Sequence, residues 1–157
     1  MKYIGNRNDK NFYLHSLGHL DDLPMDLAVV GNQFGLFIAM DAREFSDLEL
    51  RRLASHCLDQ GAAYVSVWGP DCERLHDIFD MCIIAAAPQA TEDDVICTTW
   101  HAKESLDEAL QIVRIAAVPA GAYEFTCHSW LILVVNSVEW TEGIRESLSA
   151  TSDESEE

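Results

Sequence analysis

The sequence predicts a single small α/β domain of three layers, in which strands alternate with helices and the sheet is largely parallel or mixed. From Phe34 onward, short apolar runs typical of strands alternate with longer segments whose apolar residues recur at helical spacing. The runs are continuously apolar, as expected of strands covered by helices on both faces. The chain has 157 residues, the length of one domain. We assign residues 24–148 to that domain.

The segments before the first helix have the least regular pattern. Residues 1–23 mix polar side chains with isolated apolar ones, so we expect an N-terminal arm with little regular structure of its own. Residues 26–40 fit either two short strands joined by a glycine turn or one strand that begins near Phe34. In both interpretations Asp41 closes the segment.

A β-α-β unit follows. Ser46 and Glu49 have the spacing of a capping box, which opens a helix that ends at Gly61. The second strand of the unit covers the β-favouring residues 64–68 and stops at the turn Gly69-Pro70.

The turn leads into the central helix of the domain. Asp71 is the expected N-cap, and an apolar stripe at helical spacing predicts that the helix ends between Asp80 and Ala86. The segment 82–88, with the sequence CIIAAAP, fits a short extra strand equally well.

Two more strands and another helix complete the predicted domain. Residues 95–100 form the third strand, and Ser105 and Glu108 form a second capping box at the start of the next helix. Residues 125–136 form the last major strand. Residues 149–157 are acidic and lack apolar anchors, so we expect a disordered tail.

The charge limits the classes of partner. The chain has 27 acidic and 10 basic side chains, which gives a formal net charge of −17 and a pI near 4.4. Such a surface repels phosphate backbones and anionic lipids, so we expect neither a nucleic acid nor a membrane partner. No apolar run reaches the roughly 20 residues that cross a bilayer. A basic protein partner, a divalent cation or solubility alone is compatible with the charge.

The cysteine pattern indicates the redox environment. The five cysteines are an odd number and include no CxxC pair, which favours reduced thiols and a cytoplasmic location. The chain also lacks the P-loop, GxGxxG, GxSxG and HExxH motifs. We therefore predict no cofactor and no metal site.

Residues with useful chemistry follow the predicted strands. The carboxyl ends of parallel strands meet at one edge of a sheet, where ligands and catalytic groups gather. Three side chains there are candidates for catalysis, namely Cys72, His76 and His101. A further set is suited to contacts with a ligand and consists of Trp68, Asp71, Arg74, Thr99 and Trp100.

Cys72 is the candidate with the most specific predicted role, that of a nucleophile. In the first turn of a helix its thiolate would be stabilised by the helix dipole, with His76 or His101 as the base. The carboxylates of Asp71 and Glu73 disfavour that thiolate, and a cysteine is commonly a buried packing residue.

The same cysteine and histidines suggest a second chemistry. Together with Cys127 or His128, they have the side-chain types of a zinc site but not the spacing of a metal motif. We therefore favour a packing role for all of them.

Several segments carry a resemblance to a known family. The strings WGPDC and HDIFD, followed by TTWH and ESLDEAL, are similar to segments of a family of small uncharacterised bacterial proteins, a domain of unknown function. The similarity covers about residues 34–136. It implies one domain and a bacterial, cytosolic setting, and it implies no established activity or catalytic residue.

These observations lead to two expectations of function. We expect a non-enzymatic, acidic protein-binding module, immunity-like or an adaptor, for a basic partner. The alternative is a small-ligand site or a Cys/His-dependent enzyme at the carboxyl ends of the strands.

Overall fold

The structure, a computed structural model, describes residues 1–27 and 30–154. The strands are β1 (Lys2–Arg7), β2 (Lys10–Leu17), β3 (Phe34–Ala39), β4 (Ala62–Trp68), β5 (Cys97–His101) and β6 (Ser129–Val135). The helices are α1 (Asp47–Asp59), α2 (Cys72–Ala86), α3 (Leu106–Ala116) and α4 (Val138–Glu154).

These elements form an α/β fold around one mixed sheet. The strand order is β1-β2-β6-β3-β4-β5. The pair β1–β2 is antiparallel, and all the other neighbouring pairs are parallel. Buried side chains of α1 and α2 pack on one face of the sheet, and those of α3 and α4 pack on the other. The predicted α/β class and the alternation of strands with helices are therefore confirmed.

The strand β3 lies in the interior of the sheet and is the most deeply buried strand. All six of its residues are buried. Leu36 and Ile38 contribute to the core beneath α1 and α2, whereas Phe37 and Ala39 contribute to the core beneath α3 and α4. This burial on both faces explains the continuous apolar run in the sequence.

One glycine of β3 makes room for a large neighbour. Gly35 is paired with Trp130 on β6 and with Tyr64 on β4. A Cβ atom at position 35 would lie 2.2 Å from Cε2 of Trp130. The indole therefore lies across the bare glycine backbone, and its ring centroid is 5.4 Å from that of Tyr64.

The expectation of an irregular N-terminal arm is wrong for its first 17 residues. β1 and β2 form a hairpin whose two turn residues, Asn8 and Asp9, have φ angles of 54° and 63°. Two positive φ angles are typical of the type I′ turn that closes a two-residue hairpin. β2 then pairs in parallel with β6, and Phe12 and Leu14 are buried beneath α3 and α4. This long-range pairing supplies the order that the local pattern does not indicate.

Most expectations for the central elements are confirmed. Within residues 26–40 the strand begins at Phe34, and residues 28–29 of that segment lie outside the described residues. Both bonds of the capping box are present between Ser46 and Glu49. α2 ends at Ala86, so the alternative of an extra strand over 82–88 is wrong.

Two expectations about helix ends need correction. Asp71 occupies the N-cap position of α2 but has a φ of 60°, and its side chain does not cap the helix. The carboxylate pairs with Arg74 instead. At the other end of the chain α4 extends to Glu154, so the expected disordered tail is helical through that residue, and residues 155–157 lie outside the described residues. Ile144 and Leu148 are buried and anchor the helix that this segment continues.

The close contact between Gly35 and Trp130 yields a prediction. Gly35→Ala forces the indole or the strand to shift, and overpacking of this kind costs about 1–3 kcal/mol. We expect a lower free energy of unfolding in urea denaturation. Trp130→Phe in the same chain relieves the clash, so the double variant is expected to lose less stability than the sum of the two single losses.

Gly121→Ala is the matched control, because a Cβ atom there meets nothing closer than Oδ1 of Asp93 at 3.8 Å. Equal losses for Gly35→Ala and Gly121→Ala would show that the contact with the indole does not limit position 35.

Candidate functional site

The parallel strands bring several predicted residues to one edge of the sheet. Asp41 follows β3, Asp71 follows the turn after β4, and His101 ends β5. Asn136 and Ser137 follow β6, which lies on the opposite side of β3 from β4. The strand order therefore reverses at β3, because β4 and β5 lie on one side of it and β6 on the other. In open α/β sheets, ligands bind in the crevice at such a reversal, outside the carboxyl ends of the strands.

The loops at this edge are tied together by Arg74. Its guanidinium donates to Asp47 Oδ1 at 2.7 Å and to Asp71 Oδ2 at 2.8 Å. It also donates to the carbonyl oxygens of Ala42 and Phe45. Because Nε, Nη1 and Nη2 all have partners within the protein, Arg74 joins α2 to the loop after β3, and a ligand would have to displace those contacts.

The turn after β4 packs tightly against the end of β3 at these same strand ends. Gly69 has a φ of 121°, and a Cβ atom there would lie 2.1 Å from the carbonyl oxygen of Met40. Asp41 is also engaged, because its carboxylate accepts from the Arg43 guanidinium at 2.8 Å. This hydrogen bond lowers the pKa of the Asp41 carboxyl group. The predicted crevice is thus occupied by contacts within the protein.

Cys72 lies inside the core instead of at the surface. It is 2% exposed. Desolvation by burial raises the pKa of its thiol, and a hydrogen bond from the backbone of His101 opposes that shift only in part. Neither candidate base faces the sulfur, since the ring of His101 is bonded to Ser66 and that of His76 to Thr98. The geometry therefore does not support an activated thiolate.

His101 belongs to a buried polar network on the face of the sheet beneath α3 and α4. Its Nε2 lies 2.9 Å from Ser66 Oγ and 3.2 Å from Thr99 Oγ1. Its Nδ1 lies 3.9 Å from Glu104 Oε1. Burial lowers the pKa of His101, and the nearby carboxylate of Glu104 raises it by a smaller amount.

The order serine, histidine, carboxylate in this network is that of a hydrolase triad. Ser66, however, is completely buried, so no substrate carbonyl reaches its hydroxyl. The network satisfies its own hydrogen bonds and is structural. Sequence reasoning missed Ser66 and Glu104, although a lone serine within an apolar strand was an available signal.

His76 belongs to a separate cluster on the opposite face of the sheet. Its Nε2 lies 2.9 Å from Thr98 Oγ1, and its Nδ1 lies 3.1 Å from Asp77 Oδ1. Thr98 in turn donates to Asp80 at 2.6 Å. The imidazole packs against Trp100 with 4.4 Å between the ring centroids. The cluster holds Trp100 in place, while 44% of that residue remains exposed.

The side chains that have the types of zinc ligands do not meet at one point. Cys72, His76 and His101 face different partners, as described above. Cys127 is buried, and proximity to Lys10 lowers its pKa less than desolvation raises it. In the described part of the chain, no group of three or more His, Cys, Asp or Glu side chains has the proximity needed to hold a metal ion.

An open cleft lies beside the strand ends, on the face covered by α3 and α4. It measures about 350 Å³ and is lined by Trp68, Leu106, Asp107, Glu139 and Trp140, together with Ser105 and Gly143. The two indole rings meet edge to face, with their centroids 5.0 Å apart. Trp68 was a candidate ligand contact from the sequence. Its partner Trp140 was not, because the two residues become neighbours only when α4 packs on the sheet.

A second cleft, of about 230 Å³, lies between α1 and the segment after β2. Leu20, Leu23 and Met25 line it with polar residues of α1. One of those residues, His56, is already bonded through Nε2 to the carbonyl oxygen of Pro24 at 2.8 Å. None of the sequence-predicted site residues lines this cleft.

Comparison with known proteins identifies the family. The model of the family described as Domain of unknown function (DUF7684) matches residues 13–151, so the chain belongs to that family. Among curated proteins and among solved structures, none matches the chain. The structure also contains no helix, within the residues it describes, that is both long enough and apolar enough to cross a bilayer.

The burial of the thiols predicts the order in which they react. Cys82 and Cys97 are partly exposed, whereas Cys57, Cys72 and Cys127 are buried. We expect a thiol reagent to label the first two in the native protein and the other three only when the protein opens or unfolds. Mass spectrometry of the labelled peptides measures the order. A fast native reaction that disappears in Cys72→Ala would contradict the buried position of this thiol.

Alkaline pH is expected to destabilise the protein through the same thiols. Burial raises the pKa of Cys57 from 9.0 to about 12 and is the main cause that raises the pKa of Cys127 from 9.0 to about 11. Because the folded state favours the neutral thiol, this stabilisation is complete below pH 9.0 and is lost as the pH rises toward the folded values. Urea unfolding at several pH values above 9.0 measures the loss.

Cys57→Val is the control, because it removes the titrating thiol and keeps a buried apolar side chain. The variant is expected to lose less of its unfolding free energy than the wild type over the same pH range. Parallel losses in the two proteins would exclude a contribution from Cys57.

Proposed function

We propose that this member of a family of unknown function is a non-enzymatic protein-binding module, immunity-like or an adaptor, that binds a basic protein through α2 and β5. We define the α2–β5 surface by Asp77, Asp80, Met81, Ile84 and Trp100. The observation that supports the proposal most directly is the combination of large exposed apolar side chains with carboxylates on this surface.

The apolar part of the surface lies mainly on the second half of α2. Met81 and Ile84 are 63% and 64% exposed and stand three residues apart, on one side of the helix. Residues 85–88, with the sequence AAAP, continue the exposed apolar stretch. Trp100 of β5 adds an exposed aromatic ring. Clustered apolar side chains on a surface are typical of interaction sites, and methionine and aromatic residues are enriched there.

The segment of the chain that supplies this surface carries charge of one sign. No lysine or arginine occurs between Leu75 and Ala102. The acidic residues of that stretch are Asp77, Asp80, Glu92, Asp93 and Asp94. A second copy of the chain would bring like charges together, whereas a basic partner complements them.

The outermost strand of the sheet, β5, offers a third kind of contact. β5 pairs with β4, and no other strand among the described residues pairs with it. Its outer edge therefore presents backbone donors and acceptors to a partner, which is the basis of recognition by strand addition. Trp100 lies on the strand that forms this edge, so apolar contacts and backbone pairing can act together.

The alternative of a Cys/His-dependent enzyme receives less support. The geometry that it requires would place a base at Cys72 and expose the nucleophile to substrate. Burial of Cys72 and the raised pKa of its thiol argue against both requirements.

The proposed setting is the bacterial cytoplasm. All five cysteines are free thiols in the structure, which agrees with a reducing compartment. The resemblance of the sequence to small bacterial proteins supports the same setting.

The proposal predicts that one double variant loses the partner. Met81→Asp with Ile84→Asp replaces apolar contacts by charges that resemble those already present, so binding of a basic protein is expected to weaken by at least about tenfold. The immobilised protein is first mixed with the products of neighbouring genes, and the basic protein that it retains is purified. Isothermal titration calorimetry then measures the affinity for wild type and variant at several salt concentrations.

Leu48→Asp is the matched control, because Leu48 is also an exposed apolar residue, 53% accessible, but lies on α1. It is expected to bind like the wild type, and urea unfolding checks that both variants are folded. If the double variant binds as well as the control, or if the retained proteins are acidic, the α2–β5 surface is not the binding site for a basic protein.

A further inference from the structure

We propose that the cleft between Trp68 and Trp140 binds a small organic cation that carries an alkylated ammonium group. We call this site the indole cleft and define it by Trp68, Leu106, Asp107, Glu139 and Trp140. The site is distinct from the α2–β5 surface, since Trp68 and Trp140 pack with the core beneath α3 and α4, whereas α2 covers the other face of the sheet.

The aromatic part of the indole cleft is held in a fixed geometry. The planes of the two indoles meet at 83°, and both residues line the cleft. Trp68 Nε1 donates to the carbonyl oxygen of Glu104 at 2.9 Å, which fixes the orientation of that ring. The faces of indoles attract cations through the ring quadrupole, and Trp is the strongest aromatic residue in this respect.

The charged residues of the cleft also favour a cation. Asp107 and Glu139 line the cleft, and neither forms an ion pair or a side-chain hydrogen bond with another described residue. Each lies in the first turn of its helix. No lysine or arginine is among the lining residues. Two carboxylates therefore repel an anion that the helix N-termini would otherwise attract.

The size and lining of the cleft favour an alkylated ammonium group over a metal ion. Its volume of about 350 Å³ is far larger than a bare cation needs. Ca²⁺ and Mg²⁺ require shells of about six or more oxygen ligands, which two carboxylates and a serine hydroxyl do not complete. The indoles and Leu106 instead offer apolar surface to methyl groups around a positive nitrogen, as in aromatic cages for quaternary ammonium.

The test compares choline with 3,3-dimethyl-1-butanol, which has the same shape and no charge. Each is titrated into the full-length protein while NMR follows the indole N–H resonances of the four tryptophans. We expect choline to shift the resonances of Trp68 and Trp140 in a saturable manner and to bind at least about tenfold more tightly than the neutral alcohol. Equal binding of choline and the neutral alcohol overturns the proposal.

Variants assign the binding to the cleft. Asp107→Asn combined with Glu139→Gln removes the charge with little change in shape and is expected to weaken choline binding several-fold. Trp140→Leu is expected to abolish it. Glu142→Gln is the control, since this residue lies on the same helix outside the cleft and its removal lowers the net negative charge of the protein without touching the site. If Glu142→Gln weakens binding as much as the double variant does, the attraction is the general charge of the protein, and the assigned site is wrong.

A last arm distinguishes two sources of the same group. A peptide that contains Nε-trimethyllysine is titrated beside free choline. Tighter binding of the peptide assigns the cleft to a methylated protein side chain, and tighter binding of choline assigns it to a free small molecule. Failure of both compounds would overturn the indole cleft as a cation site and would leave the proposal for the α2–β5 surface unaffected, because that proposal is tested with other residues.

Discussion

The contact of Trp130 with Gly35 organises the central strands of the sheet. Trp130 is paired with Gly35 across the β6–β3 interface, and the absence of a side chain at position 35 lets the indole lie over β3 and meet Tyr64 of β4. Lys10 of β2 lies 5.9 Å from the same ring. One large side chain thus contacts residues from three other strands. A shift of β6 by one residue would move the indole to the opposite face and place a bulky neighbour against it, so this contact also fixes the register.

The order of the strands determines which side chains are accessible. It brings the carboxyl ends of β6, β3, β4 and β5 to one edge, but that edge is used by the protein itself. Arg74 holds the loops together, Gly69 packs against Met40, and Ser66 and His101 satisfy each other in the interior. The side chains of types common in active sites, such as Ser66 and His101, therefore make contacts within the fold. Two exposed surfaces carry both carboxylates and apolar side chains. They are the α2–β5 surface on one face of the sheet and the indole cleft on the other.

Elements with strong local patterns could be predicted from the sequence. The apolar runs of β3, β4 and β6 and the capping box at Ser46 were sufficient, because each of these patterns consists of residues that are close together in the sequence. The N-terminal hairpin was missed although Asn8-Asp9 is a recognisable turn, because β2 becomes buried only through its pairing with β6, more than a hundred residues away. The partner of Trp68 was missed for the same reason. The burial of Cys72 could not be predicted either, because it results from the packing of α2 in the core and not from the residues next to it in the sequence.

The net charge of −17 does not by itself identify a partner, since screening in physiological salt limits the interaction of exposed charges to about 8 Å. A ligand therefore responds to the local arrangement of charge and apolar surface. On the α2–β5 surface, carboxylates accompany exposed apolar side chains, the combination proposed above for a protein partner of opposite charge. In the indole cleft, two carboxylates lie beside two indole rings, the lining proposed above for a single cationic group. Both proposals thus depend on the same excess of acidic residues, which the fold places beside two different apolar surfaces on opposite faces of one sheet.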